Sequence, residues 1–258
     1  MALRSARLAG AFLCALLGAG AGAQSPHAVA AIVIDDIGNL RDAGLRAVEL
    51  PGPLTYAVLP HTPYAATLAR LAHALDKEVL VHLPMQATAR RSLGPGALTT
   101  ALGRGAFQHR VIQAFAAVPH ARGVSNHMGS KLTAMPQPMQ WLMEVIAARR
   151  GWLFLDSRTT PHTVAEASAR AAGVDATSRD VFLDNVVDVS AIRMQLRELI
   201  HRARRHGSAV GIAHPYPQTL MVLAQELPQL AATGVRLAPL SSVVRRRAAL
   251  PVRVAQGL

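Results

Sequence analysis

The feature that most constrains this chain is a buried apolar run that ends in two adjacent carboxylates. Residues 31–34 are apolar and mostly β-branched, which predicts a strand buried on both faces. Asp35 and Asp36 follow where that strand should end, and Gly38 lets the backbone turn away. Because neighbouring side chains of a strand point to opposite faces, we expect one aspartate to bind a cation and the other to accept a proton or orient a partner. The alternative is that one of them caps the next helix.

Short apolar runs alternate with helical patterns through the rest of the chain. The predicted strands cover residues 31–34, 54–59, 79–81, 123–125, 152–155, 181–183, 209–213 and 235–238. Between them, Thr62 and Pro63 predict a helix start, and Ser190 and Gly207 predict the two ends of an amphipathic helix. This alternation predicts a parallel sheet in one domain, without internal repeats.

Polar residues cluster at the predicted carboxyl ends of these strands. They are Asp35, Asp36, His61, His82, Asn126, His127, Asp156, Asp184 and His214. An open doubly wound sheet gathers only the strand ends beside its switch point, whereas a closed barrel gathers all of them at one mouth. We therefore predict an α/β fold, a single-domain distorted (β/α) barrel of about seven or eight strands, with its site at that mouth.

The histidines at this mouth match the needs of a catalytic metal. Such a site takes about three protein ligands and keeps one position open for water. His82, His127 and one of the paired aspartates meet that need without any cysteine. The alternative for each histidine is a structural hydrogen bond.

Further residues at the mouth are candidates for supporting roles. His214 can act as a general acid or brace its proline-rich turn. Arg158 can pair with Asp156 or hold a substrate anion, and Asp184 can cap a turn or orient a ligand histidine. Asn126 is grouped with these as a supporting or substrate-binding residue.

The first 23 residues have the three regions of a secretory signal peptide. A basic segment with Arg4 and Arg7 precedes an apolar run, and small residues end at Ala23. We expect a mature chain that starts at Gln24, lies in the bacterial periplasm or outside the cell, and has no stable membrane insertion. Cys14, the one cysteine, would leave with the signal, so no disulfide is expected.

The chain is strongly basic, with a formal net charge of +12. An arginine-rich composition is typical of a GC-rich genome, and the functional alternative is attraction to an anionic envelope polymer. Nucleic acid is not expected as a partner, because aromatic residues make up only 4% of the chain. Residues 24–258 are assigned to the barrel, with its core at 28–244. Arg245, Arg246 and Arg247 begin what we expect to be a solvated basic tail over residues 245–258.

The motifs, taken in order, resemble the divergent polysaccharide deacetylase family, which is YibQ-like and related to the NodB-type carbohydrate esterases. The matching stretches are residues 33–38, 81–85, 126–130, 154–160 and 213–217. The resemblance implies a distorted (β/α) barrel, a divalent metal with zinc as the first choice, and hydrolysis of acetyl groups from a carbohydrate polymer.

The resemblance also implies roles for single residues. Asp35 would be the general base, Asp36 a metal ligand and His214 the catalytic histidine of a late strand. Typical members carry a His-x-x-x-His metal motif, a spacing that does not occur in this chain. His82 and His127 are therefore expected to supply the metal ligands from two separate strands.

Three functions are compatible with these features. The leading hypothesis is a metal-dependent hydrolase that removes N- or O-acetyl groups from an envelope or secreted glycan. The alternative is a catalytically weak or inactive barrel that binds glycans or assists envelope assembly. A third hypothesis is an amidase or other hydrolase that uses the same metal site.

Overall fold

The computed structural model describes residues 28–249. Its strands are β1 (Ala28–Ile37), β2 (Thr55–Val58), β3 (Glu78–Met85), β4 (Gly123–Met128), β5 (Leu153–Asp156), β6 (Asp175–Ser178), β7 (Val181–Phe182), β8 (Ser208–Ala213) and β9 (Val235–Leu237). Its helices are α1 (Arg41–Val48), α2 (Ala65–Ala74), α3 (Arg104–Ala117), α4 (Pro136–Ala147), α5 (Ala165–Ala171), α6 (Val189–His206), α7 (Pro217–Glu226) and α8 (Leu240–Ala249), with short 3-10 segments at Leu132–Ala134 and Leu227–Thr233.

Some of the sequence predictions lie outside these residues. The signal peptide over residues 1–23, the mature start at Gln24, Cys14 and the chain beyond Ala249 belong to this group. Within residues 28–249, every helix is too short or too polar to cross a bilayer.

All strand pairs of the sheet are parallel, in the order β6-β5-β4-β3-β2-β1-β8-β7, and β9 pairs with the start of β1. The sheet curls until one stretch of chain connects its two edges. After β6, Arg179 donates its backbone N–H to Asp156 of β5, and Asp180 donates to Val210 of β8. The predicted distorted (β/α) barrel is thus confirmed. Strand β6 was not predicted, because its sequence, Asp-Ala-Thr-Ser, has no apolar run.

Strand alternation divides the core into an inner and an outer part. Side chains of one parity, such as Val33 of β1, Leu80 of β3 and Leu155 of β5, meet inside the curl. Those of the other parity, such as Ile34 and Phe154, pack outward against the helices. The buried strands need apolar residues on both faces, which is why they appear in the sequence as continuous apolar runs.

Helix α8 closes the end of the barrel opposite the mouth. Leu240, Val243 and Val244 of this helix are buried against the inner core. The guanidinium of Arg247 pairs with Asp180 and donates to Thr177. The prediction that a solvated tail begins at Arg245 is therefore wrong, since residues 245–249 continue an amphipathic helix.

Several predicted boundaries also shift. Helix α2 begins at Ala65, and the Thr62 hydroxyl donates to the carbonyl of Leu59 instead of capping the helix. Helix α6 begins one residue before Ser190, capped by the Asp188 carboxylate, and ends at Gly207 as predicted. Strands β3 and β4 extend to Met85 and Met128, so that their histidines lie inside the strands and not after them.

Candidate metal centre

A bulge near the end of β1 brings both aspartates to the barrel mouth. Asp35 has the inward parity of Val33, but regular alternation would send Asp36 outward with Ile34. The pairing of β1 with β2 shifts register between Ile34 and Ile37, and Asp36 adopts a left-handed backbone with φ of 59°. The expectation that the two side chains point to opposite faces is therefore wrong.

The carboxylate of Asp36 lies between two histidine rings. Its Oδ1 is 2.9 Å from Nδ1 of His127 and 3.3 Å from Nε2 of His82. Ligand atoms of all three residues lie within 4.8 Å of one another. We call Asp36, His82 and His127 the metal cluster; β1, β3 and β4 each supply one member.

The metal cluster suits a divalent cation. Asp36 Oδ1 is buried and has no aligned hydrogen-bond donor among the described residues, although two ring nitrogens approach it closely. Two imidazoles and one carboxylate form a common ligand set of catalytic zinc. Burial alone would raise the pKa of Asp36, but the adjacent His127 and His82 rings hold it well below its usual range. The carboxylate is thus kept in the ionised form that a metal requires.

His82 is oriented by Ser125, a residue that was not predicted from the sequence. Its Nδ1 lies 2.8 Å from the hydroxyl oxygen of Ser125, which leaves Nε2 directed at the aspartates. His82 and Ser125 are register partners on neighbouring strands, so the inward parity of both could have revealed the contact.

Asp35 lies deeper than Asp36 and in a different environment. Its side chain is almost fully buried, and its Oδ2 is 3.5 Å from His82 Nε2. Its Oδ1 has no hydrogen-bond partner in the described part of the chain. Burial raises the pKa of Asp35, against the lowering effect of His82 and His214. A carboxylate with a raised pKa and a free oxygen is suited to accept a proton.

His214 faces the metal cluster from β8. Its Nε2 is 3.9 Å from Asp36 Oδ2, and its Nδ1 is 3.0 Å from Asp184 Oδ1. The Asp184 carboxylate also accepts from the backbone N–H of His214 and from the Thr219 hydroxyl. Burial would lower the pKa of His214, but the hydrogen bond to Asp184 and the surrounding carboxylates raise it to about 9. Asp184 therefore orients His214, and not a histidine of the metal cluster.

Two aromatic rings lie close to the imidazole of His214. The Phe182 ring stacks on the imidazole with centroids 5.2 Å apart, and Tyr216 lies 5.6 Å away. The guanidinium of Arg179 lies 4.9 Å from the Phe182 centroid. Phe182 was not a candidate from the sequence, although its position two residues before Asp184 gives it the inward parity.

Two of the other supporting candidates, Asp156 and Asn126, are engaged in structural contacts. Asp156 has outward parity, and its carboxylate accepts from the Arg158 backbone N–H and the Thr163 hydroxyl. The Arg158 side chain is exposed and makes no ion pair with Asp156 in the described chain. Asn126 accepts from the backbone N–H of Ser157 and donates to the carbonyl of Met128, which fixes the turn after β4.

Two clefts open beside the cluster. One, of about 250 Å³, is lined by Asp36, His127 and the loop of residues 92–95. The other, of about 190 Å³, lies between Asp36 and His214 and is walled by Leu40 and Tyr216. Asp36 thus lies between the two clefts, with His127 lining one of them and His214 the other.

Comparisons with known proteins identify the family. The model of the divergent polysaccharide deacetylases matches residues 32–244. The uncharacterized protein YibQ of Escherichia coli is 38% identical over 195 residues, which are 76% of this chain but only 61% of YibQ. An uncharacterized protein of Haemophilus influenzae is 34% identical over 86% of this chain and 78% of its own. The crystal structure of uncharacterized protein ATU2773 from Agrobacterium tumefaciens superposes with a TM-score of 0.81 at 22% identity, covering 85% of this chain and 90% of that one. The chain belongs to the divergent polysaccharide deacetylase family.

Proposed function

We propose that this protein is a metal-dependent hydrolase that removes acetyl groups from an envelope or secreted polysaccharide. The observation that carries the proposal is the convergence of the metal cluster, the buried carboxylate of Asp35 and the Asp184-paired imidazole of His214 at the barrel mouth. Asp36, His82 and His127 would hold the cation, and Asp35 and His214 lie close to them. Membership of a deacetylase family supports the same reaction class.

The metal, with zinc as our first choice, would be held by one carboxylate and two imidazoles. When bound, a divalent cation supplies Lewis-acid chemistry: it polarises a carbonyl oxygen and acidifies a water molecule. Ser125 keeps Nε2 of His82 available for this role by engaging Nδ1.

Asp35 is proposed as the general base. Its unpartnered Oδ1 and its raised pKa suit it to take the proton of the water that attacks the acetyl carbonyl. Because it is buried beneath the metal cluster, it has little access to bulk water, and an acquired proton stays in the site.

His214 is proposed as the general acid. Asp184 engages Nδ1, so that Nε2 is the nitrogen directed at the cleft. With a pKa raised to about 9, the ring carries a proton at neutral pH. It can give that proton to the departing sugar amine or hydroxyl, after which the Asp184 carboxylate continues to orient the neutral ring.

The compartment forms part of the same proposal. The signal-like sequence of residues 1–23 supports a periplasmic or secreted location, which would place the protein beside envelope glycans. Intact-mass measurement of the exported protein should give an N-terminus at Gln24 or within a few residues. Retention of Met1 would contradict this assignment.

The proposal is tested by metal content and acetate release on the same protein preparation. Purified protein should hold about one divalent metal ion per chain and release acetate from at least one acetylated glycan in a panel of N- and O-acetylated oligosaccharides. Asp35→Asn should lower acetate release on the order of 10²-fold or more, while Asp76→Asn, at an exposed turn before β3, should retain it. Binding of the oligosaccharides without acetate release would reject the hydrolase in favour of a glycan-binding barrel.

A further inference from the structure

A third cavity, of about 640 Å³, lies beside the metal cluster and is strongly basic. Arg90, Arg91 and Lys131 line it, together with Thr88 and Leu93. We call Arg90, Arg91 and Lys131 with the space between them the basic pocket. None of the roles proposed above uses it.

The walls of the basic pocket are tied together by hydrogen bonds. The Thr88 backbone N–H donates to the Ser130 hydroxyl, and the Lys131 backbone N–H donates to the carbonyl of Gln86. The side-chain oxygen of Gln86 in turn accepts from the backbone N–H and the hydroxyl of Thr100. Hydrogen bonds thus join three separate stretches of chain at the basic pocket, and its cationic side chains extend from this part of the fold.

The charge of the basic pocket is uncompensated within the described chain. No Asp or Glu lines the cavity. Among residues 28–249, no carboxylate lies within 4.0 Å of a cationic nitrogen of Arg90, Arg91 or Lys131. Clustered like charges repel, and a bound anion removes that repulsion; arginine also presents paired donors that match a carboxylate or phosphate.

The basic pocket adjoins one of the two clefts beside the metal cluster. Leu93 lines both cavities, and the cleft contains Asp36 and His127 on its other side. A polymer whose acetyl group lies at Asp36 can therefore extend along this cleft, past Leu93, to the basic pocket. The part of the polymer that reaches the basic pocket would then belong to a sugar near the acetylated one.

We propose that the basic pocket is a subsite for an anionic group, a carboxylate or a phosphate, carried by a sugar close to the acetylated residue. This inference rests on the proposed function, and it narrows the substrate to an acidic polysaccharide. A neutral glycan would leave three cations without a partner, and it would gain no electrostatic attraction from this side of the cleft.

The first experiment compares acetate release from three acetylated tetrasaccharides of equal length. One contains hexuronate residues, one contains phosphorylated sugars, and one is a neutral N-acetylglucosamine oligomer. At low salt, the better anionic substrate should have a kcat/KM at least about tenfold above the neutral one. The double variant Arg90→Gln, Arg91→Gln and the single variant Lys131→Gln should each reduce that ratio several-fold.

A matched control removes the same charge elsewhere. Arg204 and Arg205 are exposed in the last turn of α6, at the end of the barrel away from the mouth. The double variant Arg204→Gln, Arg205→Gln should leave the anionic-to-neutral ratio as in the unmodified protein. Equal effects of the two double variants, or equal kcat/KM values for anionic and neutral substrates, would overturn the proposal.

Titration calorimetry with the same tetrasaccharides lacking acetyl groups separates this inference from the proposed function. The anionic compounds should bind more tightly than a neutral tetrasaccharide, and the Arg90→Gln, Arg91→Gln variant should lose that difference. If this binding is found without acetate release from any substrate, the basic pocket stands and the hydrolase fails. If acetate is released but the anionic compounds bind no more tightly than the neutral one, the hydrolase stands and the basic pocket fails. Whichever of the carboxylate and phosphate compounds binds more tightly identifies the anionic group that the basic pocket prefers.

Discussion

Asp35 and Asp36 are adjacent in the chain but differ in electrostatic environment. Asp36 is held ionised by two histidine rings, whereas burial raises the pKa of Asp35. The bulge in β1 makes this difference possible, because it turns Asp36 back to the mouth without moving Asp35 from the inner side. Two similar side chains are thus suited to the different tasks proposed for them.

Single substitutions should separate these tasks. Asp36→Ala, His82→Ala and His127→Ala should each weaken metal retention by an order of magnitude or more, since each removes one of three ligands. Asp35→Asn keeps the shape but removes the basicity, so metal should remain while turnover falls on the order of 10²-fold or more. Bound metal per chain and acetate release are measured on the same samples.

The reverse pattern would exchange the assignments. If Asp35→Asn loses the metal and Asp36→Ala keeps it, Asp35 is the ligand and Asp36 is the base. If all four variants keep their metal, the metal cluster is misassigned. Asp76→Asn is the matched carboxylate control and should change neither quantity.

The pH dependence should report the protonation of His214. The general acid must be protonated, so activity should be lost as pH rises through the pKa of His214, which its carboxylate neighbours raise to about 9. A cation bound to Asp36 would offset part of the negative charge of that carboxylate, which is one of the groups that raise the pKa of His214. The pH above which the metal-loaded protein loses activity, its alkaline limit, should therefore lie at or below about 9. Asp184→Asn removes the hydrogen-bonded charge, and the limit should move to lower pH by about one unit or more.

The control for this shift is Thr219→Val. It removes a hydrogen bond to Asp184 but leaves the carboxylate charge in place, so the alkaline limit should not move to lower pH. An unchanged limit in Asp184→Asn would mean that another group donates the proton.

Among the elements, the strands that form the mouth could be predicted from the sequence, and side-chain parity decides which polar residues meet there. Asp35, His82, His127 and His214 continue the inward series of their strands, as Leu80 and Ile212 show for β3 and β8. Asp156 follows the outward series of Phe154, which explains its structural role. Side-chain parity along each strand therefore separates these residues once the inward face of the strand is known, and the sequence does not give that face because both faces are apolar.

Other features depend on contacts that no local pattern encodes. The position of Asp36 depends on a bulge in the pairing of β1 with β2, and the assignment of Arg247 to a closing helix depends on Asp180, far away in the chain. The basic pocket likewise forms where residues 86–93 meet Lys131. Each feature arises from tertiary packing and not from periodicity or composition.

Helix α8 should contribute strongly to stability. Leu240 is fully buried against the inner core, and its backbone N–H donates to the hydroxyl of Thr55. Leu240→Ala should lower the free energy of unfolding by about 2–5 kcal/mol, the usual cost of a large-to-small substitution in a core. Leu75→Ala, at a leucine that is 45% exposed, should cost about 1 kcal/mol or less. Urea unfolding of both variants is the measurement, and equal losses would show that α8 does not close the barrel.

At the scale of the whole molecule, the metal cluster links parts of the chain that are distant in sequence. Asp36, His82 and His127 come from β1, β3 and β4, while β2 lies between β1 and β3 in the sheet. A ligand that binds the folded chain and not the unfolded one stabilises it by mass action. A cation at this site would therefore stabilise the whole barrel and not a single loop.

Metal addition should thus raise the Tm of the metal-free protein. At a free cation concentration about 100-fold above the Kd, the expected stabilisation is about 2.7 kcal/mol, which corresponds to a rise of roughly 5–10 °C for a chain of this size. Thermal unfolding with and without added Zn²⁺, and again after chelation, measures the shift and its reversal. Asp36→Ala and His127→Ala should lose the shift, whereas Asp35→Asn should keep it, because only the first two remove a ligand. If the Tm of the unmodified protein does not respond to Zn²⁺ or other divalent cations, or if all variants respond alike, no cation is bound by these three strands.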